Sequence, residues 1–171
     1  MFRHLDDFRS SWTSEASATL KLFQAIPDAS LNQAVAPGYR DLRRLAWHIT
    51  ESLIEMPGHF GLTMEGRHLL QGLFIVDPPD TMAEICETYQ KASQSLLEGL
   101  KSWDDATLEQ EDKLYGETWK RGISLQVLIH HQIHHRGQMT VLMRQASLGL
   151  PAIYGPTRED WPAYGQKPPR V

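Results

Sequence analysis

The chain has 171 residues, 41% of them hydrophobic and 22% charged, with a net charge of −4. That length and balance predict a single domain with a buried core and exclude a disordered chain. The acidic balance argues against non-specific phosphate binding, so no nucleic-acid partner is expected.

One cysteine, Cys86, rules out an internal disulfide and fits a reducing cytoplasm. The N-terminus, MFRHLDDFRSSW, is charged and lacks the apolar core of a signal peptide. No run approaches the roughly 18 apolar residues of a membrane span. A cytoplasmic protein without a membrane partner is the expectation.

Leu5, Phe8, Trp12, Leu20 and Phe23 recur at helical intervals and predict a first helix over about 3–26, ended by Pro27. Trp12 and Phe23 read as core residues, and His4 as a solvated terminal histidine. After an A-P-G turn at 36–38, a second helix is predicted from about Tyr39 to Met56, stopped by Pro57-Gly58. Its stripe is Leu42, Leu45, Ile49, Leu53 and Met56. His48 lies at the border of that stripe, with Ser52 and Glu55 on its flank. By periodicity alone His48 is a boundary histidine; it becomes a ligand if this helix packs on the last one. Glu51 and Glu55 are weaker candidates for orienting a ligand or handling protons.

Residues 58–79 carry four Gly, so any helical pieces there are short or interrupted. His59 and His68 fall in loops or helix ends and stand as reserves for a third ligand. Thr81 to Trp103 is a third helix, opened by the capping pattern Thr81-x-x-Glu84, with Ile85, Tyr89, Ala92, Leu96, Leu100 and Trp103 inward. Cys86, on this helix, reads as a small apolar filler. Residues 104–123 form a long polar crossover in which Tyr115-Gly116 and Thr118-Trp119 suggest a short turn or ribbon.

The last helical stretch, 124–148, organises the chain. Four of the eight His, at positions 130, 131, 134 and 135, fall within six residues. Ser124 is a candidate N-cap, and the helix is expected to end near Gly149. Residues four apart on a helix share a face, with Cβ atoms roughly 5–6 Å apart, so two imidazoles can reach one metal ion. On the helical wheel, Leu125, Leu128, Met139, Leu142, Met143 and Ala146 gather on one side. His131 and His135 project into that sector, near Gln138, while His130 and His134 lie toward its edge and Arg136 is read on the polar side. An inward imidazole pair needs partners, because burying an unpaired polar group is unfavourable. A metal satisfies both; the competing reading is a pair of hydrogen-bonded core histidines.

The tail, PAIYGPTREDWPAYGQKPPRV, holds five of the ten prolines. Ile153, Tyr154, Trp161 and Tyr164 predict that its first half folds back over the bundle end, toward the metal, while the final residues fray.

The run H-Q-I-H-H-R-G-Q at 131–138 resembles the signature of the DinB/YfiT-like family. T-W-K-R-G at 118–122 and P-A-I-Y-G-P at 151–156 resemble its flanks, and L-A-W-H-I at 45–49 its second-helix histidine segment. The resemblance implies an all-α, four-helix bundle of up-down-down-up type, with a long crossover before the last helix and an irregular C-terminal tail. It implies one domain, 1–171, with the bundle over about 3–149 and the tail over 150–171. It further implies a homodimer and one divalent metal at one end. Carried over by position, the ligands are His48, His131 and His135, with His134 beside the site; His48 rests mainly on the resemblance. Some relatives transfer substrates to or from low-molecular-weight thiols, and many have no known activity.

Three imidazoles suit zinc or nickel first and iron after them. The expected function is a metal-dependent enzyme that activates a thiol or water for transfer or hydrolysis on a small molecule, with a low-molecular-weight thiol as candidate co-substrate. Its catalytic group would be that thiol or water. The alternative is a non-catalytic bundle that binds metal or a small molecule as a sensor or sequestering protein. A third reading makes the histidines a relic or a dimer contact that holds no metal. A zincin-type protease is disfavoured, since Gln132 stands where H-E-x-x-H needs its glutamate.

Overall fold

The computed structural model describes residues 1–70 and 77–170. It contains four long helices: α1 Leu5–Gln24, α2 Leu42–His59, α3 Met82–Gly99 and α4 Arg121–Gln145. A two-stranded hairpin, β1 Glu111–Leu114 and β2 Glu117–Lys120, precedes α4. The expected all-α bundle is present.

Helix order around the bundle follows from the pairs that touch. α1 packs on α3 and α4, and α2 packs on the same two, so α1 and α2 sit diagonally. Trp12 meets Ser93 and Arg9 meets Leu100, which makes α1 and α3 antiparallel. Phe2 pairs with Gly122 while Thr19 meets Gln132, so α1 and α4 run the same way. Ile49 meets Gln132 and Ser52 meets His131, so α2 and α4 oppose each other. These directions give up-down-down-up. The α1–α2 and α3–α4 connections are diagonal and must cross a bundle end, which is why those two linkers are long.

The predicted boundaries shift at several places. α2 begins three residues late because Asp41 is its cap, accepting from the Arg44 amide at 2.7 Å. It then runs through Pro57 and Gly58 to His59. Pro57 lies in the last turn, where its missing N–H removes one helical bond and its carbonyl still accepts from the Phe60 and Leu62 amides. At the start of α3 the Thr81 hydroxyl caps Glu84 N and donates to the Glu84 carboxylate at 2.8 Å. This helix gives way after Gly99 to a 3₁₀ turn, Leu100–Ser102, that leaves Trp103 partly buried.

α4 begins at Arg121 rather than after Ser124, which is a buried residue of its first turn. The Tyr115-Gly116 turn has positive φ at both residues, 51° and 86°, and joins Leu114 directly to its partner Glu117. That is the two-residue geometry of a tight hairpin, so the suggested ribbon forms and feeds straight into α4. α4 ends at Gln145, four residues before Gly149. Ser147 takes φ 59° and the Leu148 amide reaches back to Met143 O, a Schellman closure made without glycine.

Of the segment 58–79, Gly58 and His59 complete α2 and the other described residues form only a 3₁₀ turn, Arg67–Leu69, as the glycines imply; positions 71–76 lie outside the described residues, as does Val171 of the tail. Among the described residues no helix is long and apolar enough to cross a membrane.

The core draws on all four helices, with Phe8, Trp12, Phe23, Ile49, Leu53, Tyr89 and Leu96 fully enclosed. Gln132 and Arg136 of α4 are buried with it. Gln132 accepts from the Tyr89 hydroxyl at 2.9 Å and donates to Ile49 O at 3.2 Å. Arg136, read from the wheel as outward, is 2% exposed. Its guanidinium donates to Glu15 O at 2.6 Å and to Thr19 Oγ1 at 3.0 Å, and it is ion-paired with the Glu15 carboxylate. The reason is seven-residue spacing: Ile129, Arg136 and Met143 form one row, and all three are buried.

The tail folds back, but against α1 and the outer side of α4. Lys21 Nζ donates to Ala152 O at 2.8 Å, Arg144 pairs with Glu159 at 2.8 Å, and the Tyr154 hydroxyl bonds Glu15 at 2.6 Å. It therefore closes over the Arg136–Glu15 pair, away from the α2–α4 seam.

Candidate metal centre

Antiparallel packing of α2 on α4 brings His48 against the His131–His135 pair. Ring centroids lie 4.9 Å (His48–His131), 4.5 Å (His48–His135) and 4.4 Å (His131–His135) apart. One nitrogen from each ring lies within 4.8 Å of the others, the only such three-ligand grouping among the described residues. His131 and His135 meet through their Nε2 atoms at 3.1 Å.

Hydrogen bonds on the far side of each ring set the tautomers. The Ser52 hydroxyl donates to Ile49 O at 3.0 Å, so it accepts from Nδ1–H of His131 at 3.1 Å. Gln138 Oε1, an acceptor only, takes the Nδ1–H of His135 at 2.7 Å. Both Nε2 atoms therefore carry lone pairs, and the two lone pairs face each other. Without a cation between them that contact is repulsive. Two nitrogens each about 2.0–2.1 Å from one ion, at an angle between square and tetrahedral, would be separated by about 2.8–3.4 Å. The observed separation fits a shared ion, and the Nδ1 partners are the orienting bonds that metal-ligating histidines make.

Electrostatics keep the rings in their ligating form. Burial, reinforced by the Arg40 charge, pushes His48 down to about 3. Burial and the neighbouring His135 push His131 down to about 4. His135 is also lowered, burial outweighing the opposing bond to Gln138. All three are neutral imidazoles at pH 7, the state that binds a metal without first losing a proton.

The other candidates separate from the cluster. His130 and His134 are exposed; His134 Nε2 lies 3.1 Å from Gln138 Nε2, so Gln138 bridges His134 and His135. His59, at the end of α2, bonds Glu55 at 2.6 Å, and Glu55 also takes the Tyr115 hydroxyl. His68 is exposed in the 3₁₀ turn, and His4 is exposed but paired with Asp105 at 2.9 Å. Glu51 is buried with Arg44 4.0 Å away. Cys86 is half-buried, and burial pushes its thiol up, consistent with a filler.

Ser52 and Gln138 were visible in sequence only as neighbours of the histidines; their orienting roles need the packed geometry. Arg40 gave no sequence signal. It stands with Val35 and Tyr39 on the loop before α2, where Pro37-Gly38 turns the chain with φ 83° at Gly38 and Ala34 bridges to Asp41. These residues, with Leu45, Val141 and Leu142, enclose an apolar cleft of about 440 Å³ that opens onto His135 and Gln138. Its described lining contains no carboxylate.

Comparison with known proteins agrees with this architecture. The sequence pattern of the DinB family matches residues 1–169. The chain is 39% identical, over 173 aligned positions spanning all of both chains, to the uncharacterized protein YrdA of Bacillus subtilis strain 168. The crystal structure of a DinB-like protein from Bacillus cereus ATCC 10987 superposes with a TM-score of 0.83 at 37% identity, covering 90% of this chain and 100% of that one. A second DinB-like protein, YjoA of B. subtilis, shares the fold at a TM-score of 0.66 and 19% identity, over 86% of this chain and 96% of its own.

Proposed function

We propose that this chain, which belongs to the DinB family, is a divalent-metal-dependent enzyme in which His48, His131 and His135 hold one ion beside the apolar cleft. The observation that carries the reading is the pair of Nε2 lone pairs converging at 3.1 Å with a third imidazole packed against both rings. Three neutral nitrogen donors suit zinc or nickel first and iron after them. A bound divalent ion supplies Lewis acidity that lowers the pKa of a thiol or water. The protein's own groups do the positioning: Ser52 and Gln138 hold the rings, while Leu45 and Leu142 give the cleft an apolar wall. The reaction class is transfer or hydrolysis on a small molecule, with a low-molecular-weight thiol as co-substrate. A cytoplasmic homodimer with no nucleic-acid or membrane partner completes the reading; the net charge of −4 supports the absence of nucleic acid.

One observation favours a second reading. The described lining of the cleft offers no carboxylate as a proton acceptor, which also suits a bundle that binds metal or a small molecule without turnover.

Elemental analysis of native protein beside a His131→Ala, His135→Ala double variant tests the site. Near one divalent ion per chain, lost in the variant, supports it; no metal in either after incubation with zinc or nickel overturns it. Acceleration of electrophile conjugation to a bacterial thiol by the loaded protein favours the enzyme. Full loading without turnover favours the binding protein.

A further inference from the structure

Arg40 is the unusual member of a basic run at the start of α2. Arg43 is paired with Asp80, and Arg44 lies 3.8 Å from Asp77 and 4.0 Å from Glu51. Arg40 has no ion-pair or hydrogen-bond partner among the described residues. It is exposed, and its side chain lines the cleft that ends at His135.

The rest of that lining is apolar and open. Val35 is 56% exposed, Tyr39 70% and Val141 54%, so the cleft carries solvated hydrophobic surface next to a bare guanidinium. A loop held by the Pro37-Gly38 turn and the Ala34–Asp41 bridge presents Val35, Tyr39 and Arg40 together. Charge on the site is one-sided. Three neutral imidazoles would leave a divalent ion's charge uncompensated, Arg40 adds another positive charge, and no carboxylate among the described lining residues balances either. An occupant must satisfy apolar walls and a cationic rim at once.

We propose that the cleft selects an organic anion: a small molecule with an apolar body lying on Val35, Leu45, Val141 and Leu142, and one negatively charged group, carboxylate or phosphate ester, held by Arg40. The inference rests on the metal-site reading for the charge at its inner end, whereas the Arg40 contact stands on the cleft alone. It makes Arg40 a specificity residue for the substrate's anionic group.

The test uses the full chain, with and without zinc, and four probes: 4-phenylbutyrate, 3-phenylpropyl phosphate, 4-phenylbutanamide and 4-phenylbutylamine. Binding is followed by NMR chemical-shift perturbation, and metal content is measured on the same samples. In metal-free protein an anionic probe binds roughly two- to fivefold more tightly than the amide, as an ion pair at a solvent-exposed rim allows, and the amine binds weakest. The phosphate and carboxylate arms tell which anion is preferred. Arg40→Gln removes the preference with zinc content unchanged, and Val141→Asn, whose fold is checked by circular dichroism, weakens binding of every probe. Equal binding of all four probes overturns the inference, as does a charge preference that survives Arg40→Gln. A preference that appears only with zinc assigns the anion to the ion and also overturns the Arg40 role. Failure to take up metal, with an Arg40-dependent preference intact, overturns the functional reading and leaves this one standing.

Discussion

His131 and His135 face each other through Nε2 at 3.1 Å, and each has its Nδ1–H committed elsewhere, to Ser52 Oγ and to Gln138 Oε1. That relationship makes the orienting residues as testable as the ligands. Ser52→Ala and Gln138→Leu should each leave all three imidazoles in place and weaken zinc affinity by about 10–100-fold. Competition with a chromophoric chelator measures it. Unchanged affinity in both variants would mean that the rings are positioned by packing alone.

The histidines also predict acid sensitivity in metal-free protein. His48 and His131 ordinarily titrate near 6.5 and are held at about 3 and about 4 in the fold. As pH falls below 6.5 the unfolded chain takes up protons that the folded chain refuses, so unfolding is favoured. The stability present at pH 7 is lost progressively as pH drops from 6.5 toward 4. Urea midpoints of chelator-treated protein should fall between pH 7 and 5, and fall less in a His48→Gln, His131→Gln variant. Identical falls in both proteins would place the acid sensitivity elsewhere.

Arg136 and Glu15 tie α4 to α1 beneath Tyr154, whose ring lies 5.6 Å from the guanidinium. Arg136→Ala leaves the Glu15 carboxylate, only partly exposed, without its cation. The cost should be about 2–3 kcal/mol, below the 3–5 of a fully buried pair because water reaches Glu15. Denaturant unfolding gives the value, and zinc stoichiometry should not change, since Arg136 faces away from the histidines. Loss of zinc together with stability would show that the two sides of α4 are coupled.

Gly122 lies in the first turn of α4 where the N-terminal segment crosses it. The Phe2 amide donates to Gly122 O at 3.2 Å, and a Cβ at Gly122 would overlap the Phe2 carbonyl oxygen. Gly122→Ala should therefore cost about 1–3 kcal/mol through overpacking, although alanine is the better helix former. Thermal melts and amide exchange at residues 2–8 check it. A rise in stability would mean that the N-terminal segment moves aside at little cost.

The sequence is legible where a local rule has one outcome. The Tyr115-Gly116 turn, the Thr81 cap and the inward faces of α1 and α3 follow from residues near in sequence. It does not encode locally the fate of residues that depend on a neighbour. Pro57 is tolerated because it lies in a last turn, and Ser147 closes α4 because nearby carbonyls needed donors. Arg136 shares the inward row of Ile129 and Met143, and its charge is tolerated there because Glu15 and Thr19, over a hundred positions away, offer it partners. Gln132, weighed only as a missing catalytic glutamate, is the buried amide that joins α4 to Tyr89 on α3 and to Ile49 on α2.

What the sequence determined by itself was the His131–His135 pair, since residues four apart on any helix share a face, and the presence of four helices, since apolar periodicity is local. The packing of α2 antiparallel on α4 decided the rest. It carries His48 to that pair, sets Ser52 behind one ring, and leaves a cleft whose wall comes from two distant stretches of chain, 35–45 and 135–142. No single stretch encodes that cleft, because its walls touch the same space only after the core has formed.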